Sequence, residues 1–508
     1  VTIQIIGFDS TIKIPGYFGE TVYNAGPVTA GSVPILLCLV GTMLSTGTAT
    51  PNQDVKFITS SNDADSFFGA GCELAVMCYG ALQIPGVTIW AAPVPEAGGA
   101  SAATATITVS GSWSSAGTWT GRIDGVTVSA NALSTDNVQS FSTTIANAIN
   151  GIPQLSVTAV VGGGPTYPIT LTRKSKGARG NQGALYQDVS LLPAGMSVAI
   201  AGGAAMTGPG VHFGGGAGTE SVSTLLSSVI QATQYDRFAI AQNDATNGAL
   251  WHTFLNNQAA PLTGLLEHAV LAVNGTYSAA VSLAQATLNA ERMQMLWQND
   301  GETIPSFIAA TFAARRCAVE QGDPDASYDS YVLPGVAPQS QQADWCNSAT
   351  LIGALNSGVT PICTNATKGA YVVRSITTHS QDQFGNPQYT TLDTSQAVVP
   401  DYVRLVLRLY WGTDFQPGNP RVGPDPDPSQ KKPPSGFATP SLWRQHAGLQ
   451  LQLLEETAPP ILLPGSTAAN PILAEYNASA QRLMSVVPCY PCPNDHQIGV
   501  SVRNVTPA

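Results

Sequence analysis

Charge is what this sequence has least of. Its 508 residues hold 21 Lys and Arg and 32 Asp and Glu, ten per cent of the chain, where a soluble domain carries roughly a quarter. The balance is a formal −11. No general cationic surface is available to neutralise phosphates and release counterions, so nucleic acid is not an expected partner. Long apolar runs are missing too. The longest, residues 33–40, ends at Gly41 and is far short of the ~20 residues that span a bilayer, so no membrane insertion is expected. The opening VTIQIIGFDS has neither a basic leader nor an apolar core and does not read as a secretory signal, which points to assembly in a cytoplasm. Eight cysteines (38, 72, 78, 317, 346, 363, 489 and 492) are scattered too thinly for a disulfide-stapled module, and reduced thiols are expected.

Catalytic signatures are also absent. There is no GxSxG, HExxH or GxxxxGK[ST]. The histidines, at 212, 252, 268, 379, 446 and 496, stand apart from one another and from acids at metal-ligand spacing. No catalytic, cofactor-binding or metal residue is therefore assigned, and no cofactor is expected. Glycine runs at 162–164 and 214–216 lack a P-loop lysine and dinucleotide spacing, and read as tight turns at the boundaries of an inserted module. Arg173, Lys174, Lys176 and Arg179 read as a solvated loop. Cys489-Tyr-Pro-Cys492 has no second pair, and a structural loop, a local disulfide and a zinc site all stay open for it.

What is present is an alternation of strand and helix. Residues 33–41 and 86–94 read as buried strands with a helix at 73–82 between them, the beginning of an α/β layer. Residues 97–210 are rich in Ala, Gly, Ser and Thr, with short strand-like runs and one helical stretch, STTIANAING, and read as a β-rich insertion. The α/β pattern then resumes. Val222, Leu225, Leu226, Val229 and Ile230 recur at helical spacing, 237–242 and 269–273 are strand candidates, and helices are expected at 278–297 and 306–320. Past residue 374 come a helix at 402–410, a stretch with eight prolines at 416–440 read as a solvated loop, and a helix at 441–455. The closing runs are RLMSVVPC (482–489) and QIGVSVRNV (497–505), the latter alternating as a half-buried strand does.

Several segments together resemble the Mu-like contractile tail sheath proteins of phages (myovirus tail sheath), nearly end to end. They are IPGYFGE (14–20), LVGTMLSTGTA (39–49), FFGAGCELAVM (67–77), ITLTRKSKGARGNQ (169–182), GGGAGTESVSTLLSSV (214–229), LPGVAPQS (333–340), LNSGVTP (355–361), YVVRSITTHSQDQFGNPQYTTLDTS (371–395), ATPSLWRQHAGLQLQLLE (438–455) and NASAQRLMSVVP (477–488).

The resemblance implies an α/β, subtilisin-like but non-catalytic sheath core at 31–96 plus 211–373 and an inserted β-rich outer domain at 97–210. An α+β C-terminal domain follows at 374–496, with extended arms at 1–30 and 497–508. A serine hydrolase is the natural rival, but no His is followed by Gly-Thr, and Gly218-Thr219 is followed by Glu220 where a subtilisin would carry its serine. A capsid or adhesin protein is the other alternative, and it would not combine α/β alternation with free terminal strands.

The implied function is structural: a helical homo-oligomer of hexameric discs in the phage virion, assembled in the host cytoplasm. It surrounds a tail tube protein, meets baseplate and tail terminator proteins, and contracts to drive the tube through the host envelope. The resemblance also implies that strands are exchanged between subunits. The N-terminal arm would present Val1, Ile3, Ile5 and Ile6, the C-terminal arm Ile498, Val500, Val502 and Val505, and the acceptor strand Leu483, Val486 and Val487.

Overall fold

The front of the fold is built from β1 (Leu36–Thr42), β2 (Lys56–Ile58), α1 (Ser61–Phe68), α2 (Glu73–Ala81) and β3 (Thr88–Val94), in a computed structural model that describes residues 35–231, 233–365, 367–415, 421–426 and 437–494. The arm residues Val1, Ile3, Ile5, Ile6, Ile498, Val500, Val502 and Val505 lie outside the described residues. β1 buries every residue but its first, which is why it reads as a continuous apolar run and not as an alternation. α1 opens on a capping box: the Ser60 hydroxyl accepts from the Asp63 N–H while the Asp63 carboxylate accepts from the Ser60 N–H.

After β3 the chain leaves for the inserted body: β4 (Thr104–Gly111), β5 (Gly117–Ile123), β6 (Val126–Ala132), α3 (Val138–Asn150), β7 (Val157–Val161), β8 (Ile169–Arg173), β9 (Ala184–Asp188), β10 (Met196–Ala201) and β11 (Gly210–His212). The strands form two four-stranded sheets, β10-β4-β8-β7 and β11-β9-β5-β6, antiparallel throughout. Alternating burial along β4 and β8 gives each strand one apolar face. Phe141, Ile145 and Ile149 of α3 join those faces and the fully buried Trp119 in one core. Residue 210, expected as the end of this body, is instead the first residue of β11, and bridges Thr104–Gly214 and Ser101–Ala217 carry the body to about residue 217. A three-residue strand between glycines is too short to show a period. The glycines at 162–164 lie between β7 and β8, inside the insertion and not at its boundary.

The returning chain forms α4 (Ser223–Ser228), β12 (Arg237–Ile240), α5 (Ala245–Gln258), β13 (His268–Asn274), α6 (Tyr277–Leu283), β14 (Met293–Gln298), α7 (Pro305–Glu320), α8 (Ser348–Asn356), β15 (Thr360–Asn365) and β16 (Gly369–Val372). These complete an eight-stranded sheet, β16-β15-β14-β13-β12-β1-β3-β2. Neighbours from β3 to β15 pair in parallel, and the edge strands β2 and β16 are antiparallel. The core is thus doubly wound α/β. Apolar side chains of α2 and α7 cover one face, those of α4, α5 and α6 the other. Gly80 lets α2 approach α7 closely, since a Cβ there would sit 2.9 Å from the Phe307 carbonyl oxygen. The expected helix at 278–297 is corrected. It ends in a wide turn at 284–288, Asn289 takes a φ of +31°, and 293–298 is β14. All six residues of that central strand are buried, so its apolar pattern has no period to separate strand from helix.

The last body contains α9 (Thr394–Tyr410), β17 (Arg421–Val422), β18 (Phe437–Ala438), α10 (Pro440–Glu455), α11 (Ser466–Ala469), β19 (Leu473–Asn477) and β20 (Arg482–Val486). α9 begins eight residues before the expected 402 and contains Pro400. Part of the proline-rich stretch is strand, β17 pairing with β18; residues 416–420 and 427–436 lie outside the described residues. Val399, Val403 and Leu407 pack against Trp443, Ala447, Leu451 and Leu454, and Cys489 is buried in the same cluster. The CYPC segment is a structural loop packed onto this body, with Cys492 N–H on the Ile461 carbonyl at 3.0 Å. α9 is tied to the sheet through Asp401, which meets the Arg292 guanidinium and, at 2.9 Å, His268 Nε2. Burial lowers the His268 pKa to about 3. Burial opposes the charge on Asp401, yet Arg292 and the His268 hydrogen bond hold its carboxyl well below the usual carboxylate range.

Glu267, just before β13, accepts the Tyr235 N–H at 3.0 Å, and burial pushes its pKa from 4.5 up to about 8. At pH 7 it is protonated in the folded state and ionised in the unfolded chain. Its contribution to stability is full below pH 4.5 and is lost as pH rises to about 8, with a slope of up to about 1.4 kcal/mol per pH unit. Urea unfolding at pH 5 and pH 8 checks this: Glu267→Gln should narrow the difference between the two pH values relative to wild type. An unchanged difference would show that Glu267 titrates normally.

Candidate functional site

An open α/β sheet takes its ligands at the carboxyl ends of its strands, where the strand order reverses. Here that crevice lies between β1 and β12, and it is already filled. The inserted body sends in the loop after β8 and its single tight helical turn, Ala178–Gln182. Arg179 donates to both oxygens of Glu73, the first residue of α2, from Nε at 2.9 Å and Nη2 at 2.6 Å. The same Nη2 lies 2.6 Å from Glu220 Oε1, in the segment that returns from the insertion. Thr42, at the end of β1, donates its N–H and hydroxyl to Glu73 Oε2 at 3.2 and 3.0 Å, and Gln242 donates to Glu220 at 2.9 Å. Beside them Gln182 and Asn243 exchange hydrogen bonds of 3.3 and 2.8 Å.

The electrostatics follow from this packing. Burial disfavours the charge on Glu73, but Arg179, with the Thr42 donors, holds its carboxyl below the ordinary value. The positive end of α2 acts in the same sense. Burial also opposes the Arg179 charge, and the two glutamates raise its pKa nonetheless. A cation shared by two carboxylates, each with neutral donors, is the arrangement in which buried charges are tolerated.

This overturns the reading of a solvated loop for Arg173, Lys174 and Arg179, while Lys176 is 52% exposed as that reading expects. Arg173 is 4% exposed and pairs with Asp124 inside the inserted body. Lys174 donates to the Ala70 and Pro153 carbonyls at 3.0 and 2.6 Å, and Lys176 lies 3.2 Å from Glu96. The partners are far away in sequence, so the charge run alone could not reveal them. Glu73, Glu220 and Thr42 left no signal either. A second seam joins the two bodies further along: Arg122 to Glu302 at 2.8 Å, His212 Nε2 to Asp300 at 2.8 Å, and Gln341 to the Tyr186 hydroxyl at 2.8 Å.

Three of the histidines are spent on buried contacts. His212 and His268 pair with carboxylates, and His379 Nδ1 lies 2.6 Å from the hydroxyl of buried Thr391. None of these three hydrogen-bonds to a serine. Among the described residues no group of three His, Cys, Asp or Glu side chains is placed to hold a metal ion.

The expected acceptor residues fall on the hairpin of β19 and β20. Leu483 stands opposite Tyr476, Val486 opposite Leu473, and Val487 follows the strand. Leu483 and Val487 lean on the core of the last body. Val486 and Leu473 are 42% and 49% exposed. Among the described residues no third strand pairs with this two-stranded sheet, and Arg444 donates to the Ala474 carbonyl of β19 at 3.1 Å.

No protein-family model matches the chain. The Mu-like prophage FluMu tail sheath protein of Haemophilus influenzae is 24% identical over 416 residues, which are 80% of this chain and 81% of that protein. The chain is a homologue of a Mu-like tail sheath protein. Among solved structures, the sheath tail protein Lin1278 of Listeria innocua shares 12% identity over 91% of this chain and 93% of its own, at a TM-score of 0.48. The contracted helical sheath of the anti-feeding prophage shares 10% identity over 97% and 99%, at 0.46. These likenesses add nothing to the sequence match.

In this sheath homologue Arg179→Met strands two neighbouring buried carboxylates, and a loss of about 3–5 kcal/mol is expected in urea unfolding. Adding Glu73→Gln and Glu220→Gln should restore part of it. The excision test is related. A Cβ on Gly218 would lie 3.6 Å from that of Ala97, so the insertion enters and leaves at one place. With residues 99–217 replaced by a short Gly/Ser bridge, the remaining chain should unfold at lower urea than the same chain carrying both Glu→Gln changes. Equal midpoints would mean that the crevice reopens to water without cost.

Proposed function

We propose that this protein is a structural subunit of a contractile tail sheath, polymerising helically around a tail tube and contracting to drive the tube through a host envelope. The observation that carries the reading is the sequence match to a tail sheath protein over four fifths of both chains. The filled crevice at the switch point supports a non-enzymatic role for the core, since the place where such a sheet takes a ligand holds Arg179. Within this reading the subtilisin-like label describes architecture only. The sheath core is 31–96 plus about 218–373, the outer domain is the insertion up to about residue 217, and 374–496 is the C-terminal domain between arms 1–30 and 497–508. Further partners are baseplate and tail terminator proteins, and the setting is a virion assembled in a host cytoplasm.

Contraction requires subunits to move as rigid bodies without parting. A strand lent to a neighbour's sheet edge meets this need, because its backbone hydrogen bonds are indifferent to rotation about the linker that carries it. Among the described residues the hairpin of β19 and β20 pairs with no third strand, and the arms proposed to join it are residues 1–6 and 497–505. One arm on each edge would turn a two-stranded sheet, marginal alone, into a four-stranded one.

Removing residues 497–508 tests the linkage. Each lost ladder bond is worth ~0.5–1.5 kcal/mol net, and the loss should fall on assembly and not on the monomer. The truncated chain and Val500→Pro should keep the wild-type thermal midpoint and form no hollow cylinders in negative-stain microscopy. Unfolded monomers beside a folded fraction that still polymerises would place the strand within its own subunit.

A further inference from the structure

We propose that the outer edge of β6 is a self-pairing site, where a second copy of this chain adds its own β6 antiparallel, Ser129 beside Ser129, and joins two inserted bodies through one continuous sheet. β6 follows β5 across the two-residue turn Asp124-Gly125, with φ of +51° and +85°. Such a turn closes on a hydrogen-bonded pair, here Ile123 with Val126, and bonded and non-bonded pairs then alternate along the ladder. Val126, Val128, Ala130 and Ala132 therefore turn their backbone groups to β5, while Thr127, Ser129 and Asn131 turn theirs outward. Thr118 fixes the phase: it stands opposite Asn131, and its N–H leaves β5 on the other side, for the Leu191 carbonyl at 2.9 Å.

Each of the other three outer strands of the inserted body carries a cap from its own chain. Asn150 of α3 imitates a strand beside β7, its side chain accepting the Ala159 N–H at 2.9 Å and donating to the Ala159 carbonyl at 2.8 Å. Beside β11, Gly203 N–H meets the His212 carbonyl and His212 N–H the Ala204 carbonyl, both at 2.8 Å. On β10 the Val198 carbonyl accepts from Gln187 Nε2 at 3.0 Å. Among the described residues nothing bonds to the outward N–H and carbonyl groups of Thr127, Ser129 and Asn131, and all three residues are exposed.

The devices that blunt an exposed edge are missing from β6 as well. Its residues, VTVSANA, include no lysine, no proline and no charge, and its register with β5 runs without a bulge. The charges that flank it in sequence are engaged within the chain. Arg122 meets Glu302, Asp124 meets Arg173, and Asp136 accepts the Leu133 N–H at 2.8 Å and the Ser140 hydroxyl at 2.9 Å.

Two observations make the occupant a second copy. Chains of formal charge −11 repel one another in general, and this edge lets them meet without bringing unpaired charges together. The edge also matches itself. With Ser129 opposite Ser129, Thr127 falls opposite Asn131 on both sides, and every outward N–H and carbonyl of the three residues finds a partner. Any other antiparallel register leaves some of them unpaired. Hydroxyl and amide side chains line the outer face, Thr120 beside Ser129 at 3.4 Å and Thr118 beside Asn131 at 2.9 Å, and the second copy continues that row. Val126, 46% exposed, is covered by Ala132 of the second copy. A two-fold contact closes on itself and does not propagate, so it joins free chains in twos and is separate from the contacts of a helical polymer.

The test uses the full-length protein. In this register the two Ser129 Cα atoms lie about 5.5 Å apart, within the span of a disulfide, whereas the two Thr127 Cα atoms lie about 14 Å apart. Under mild oxidation Ser129→Cys should give covalent dimers that peptide mapping joins at position 129, and Thr127→Cys should give none joined at 127. In sedimentation velocity the wild type should follow a monomer–dimer equilibrium. Ser129→Lys, which sets two ammonium groups face to face at an exposed position, should lose the dimer and keep the wild-type thermal midpoint in dilute solution. Wild-type protein without dimers, dimers that survive Ser129→Lys, or equal cross-linking of the two cysteine variants would overturn the proposal. So would cross-links from position 129 to any other segment, which would give the edge to a different strand.

Discussion

One guanidinium decides how the two largest parts of this molecule relate. Arg179 leaves the inserted body, enters the crevice between β1 and β12, and meets one carboxylate from the start of α2 and another from the returning chain. Because all three groups are buried, none tolerates the loss of its partners, and the position of the insertion is fixed by electrostatics rather than by apolar fit. The few charges in the chain are concentrated in this way. Arg122 with Glu302, His212 with Asp300, and Arg292 with Asp401 each stand where one body meets another.

The sequence was readable where burial left a period or a long run. The strands at 33–41 and 86–94, the helix at 73–82 and the helices at 306–320 and 441–455 emerge within a few residues of those bounds. It was unreadable where a residue's meaning lay in a distant partner. Nothing local distinguishes Arg179, paired across 106 residues with Glu73, from a solvated arginine. β14 reads as helix in the sequence because a strand buried on both faces has no alternation to show. Cys489 lies in a loop flanked by prolines, and nothing local signals that its side chain packs with α9 and α10. At the candidate acceptor, the choice of Leu483 and Val486 comes from the family resemblance, and their pairing with β19 is visible only in the fold.

The doubly wound sheet explains why a structural subunit and an enzyme can share a core. The same switch point that would admit a substrate admits a side chain from an insertion equally well, and the geometry of the strands is indifferent to which arrives. In this homologue of a sheath protein the insertion has taken the position, and the crevice holds the molecule together instead of holding a ligand.

The depth of the Arg179 joint also bears on how the protein meets changes in its medium. Dissolved ions weaken an attraction only where they can approach it, over a distance of ~10 Å in 0.1 M salt. The side chains of Arg179, Glu73 and Glu220 are 13%, 7% and 4% exposed, whereas Lys176 beside Glu96 is 52% exposed. Passing from a concentrated cell interior to dilute water, or the reverse, alters the peripheral pair and leaves the central one nearly as it was. The inserted body keeps its place across a range of ionic strengths because its clasp lies out of reach of the ions.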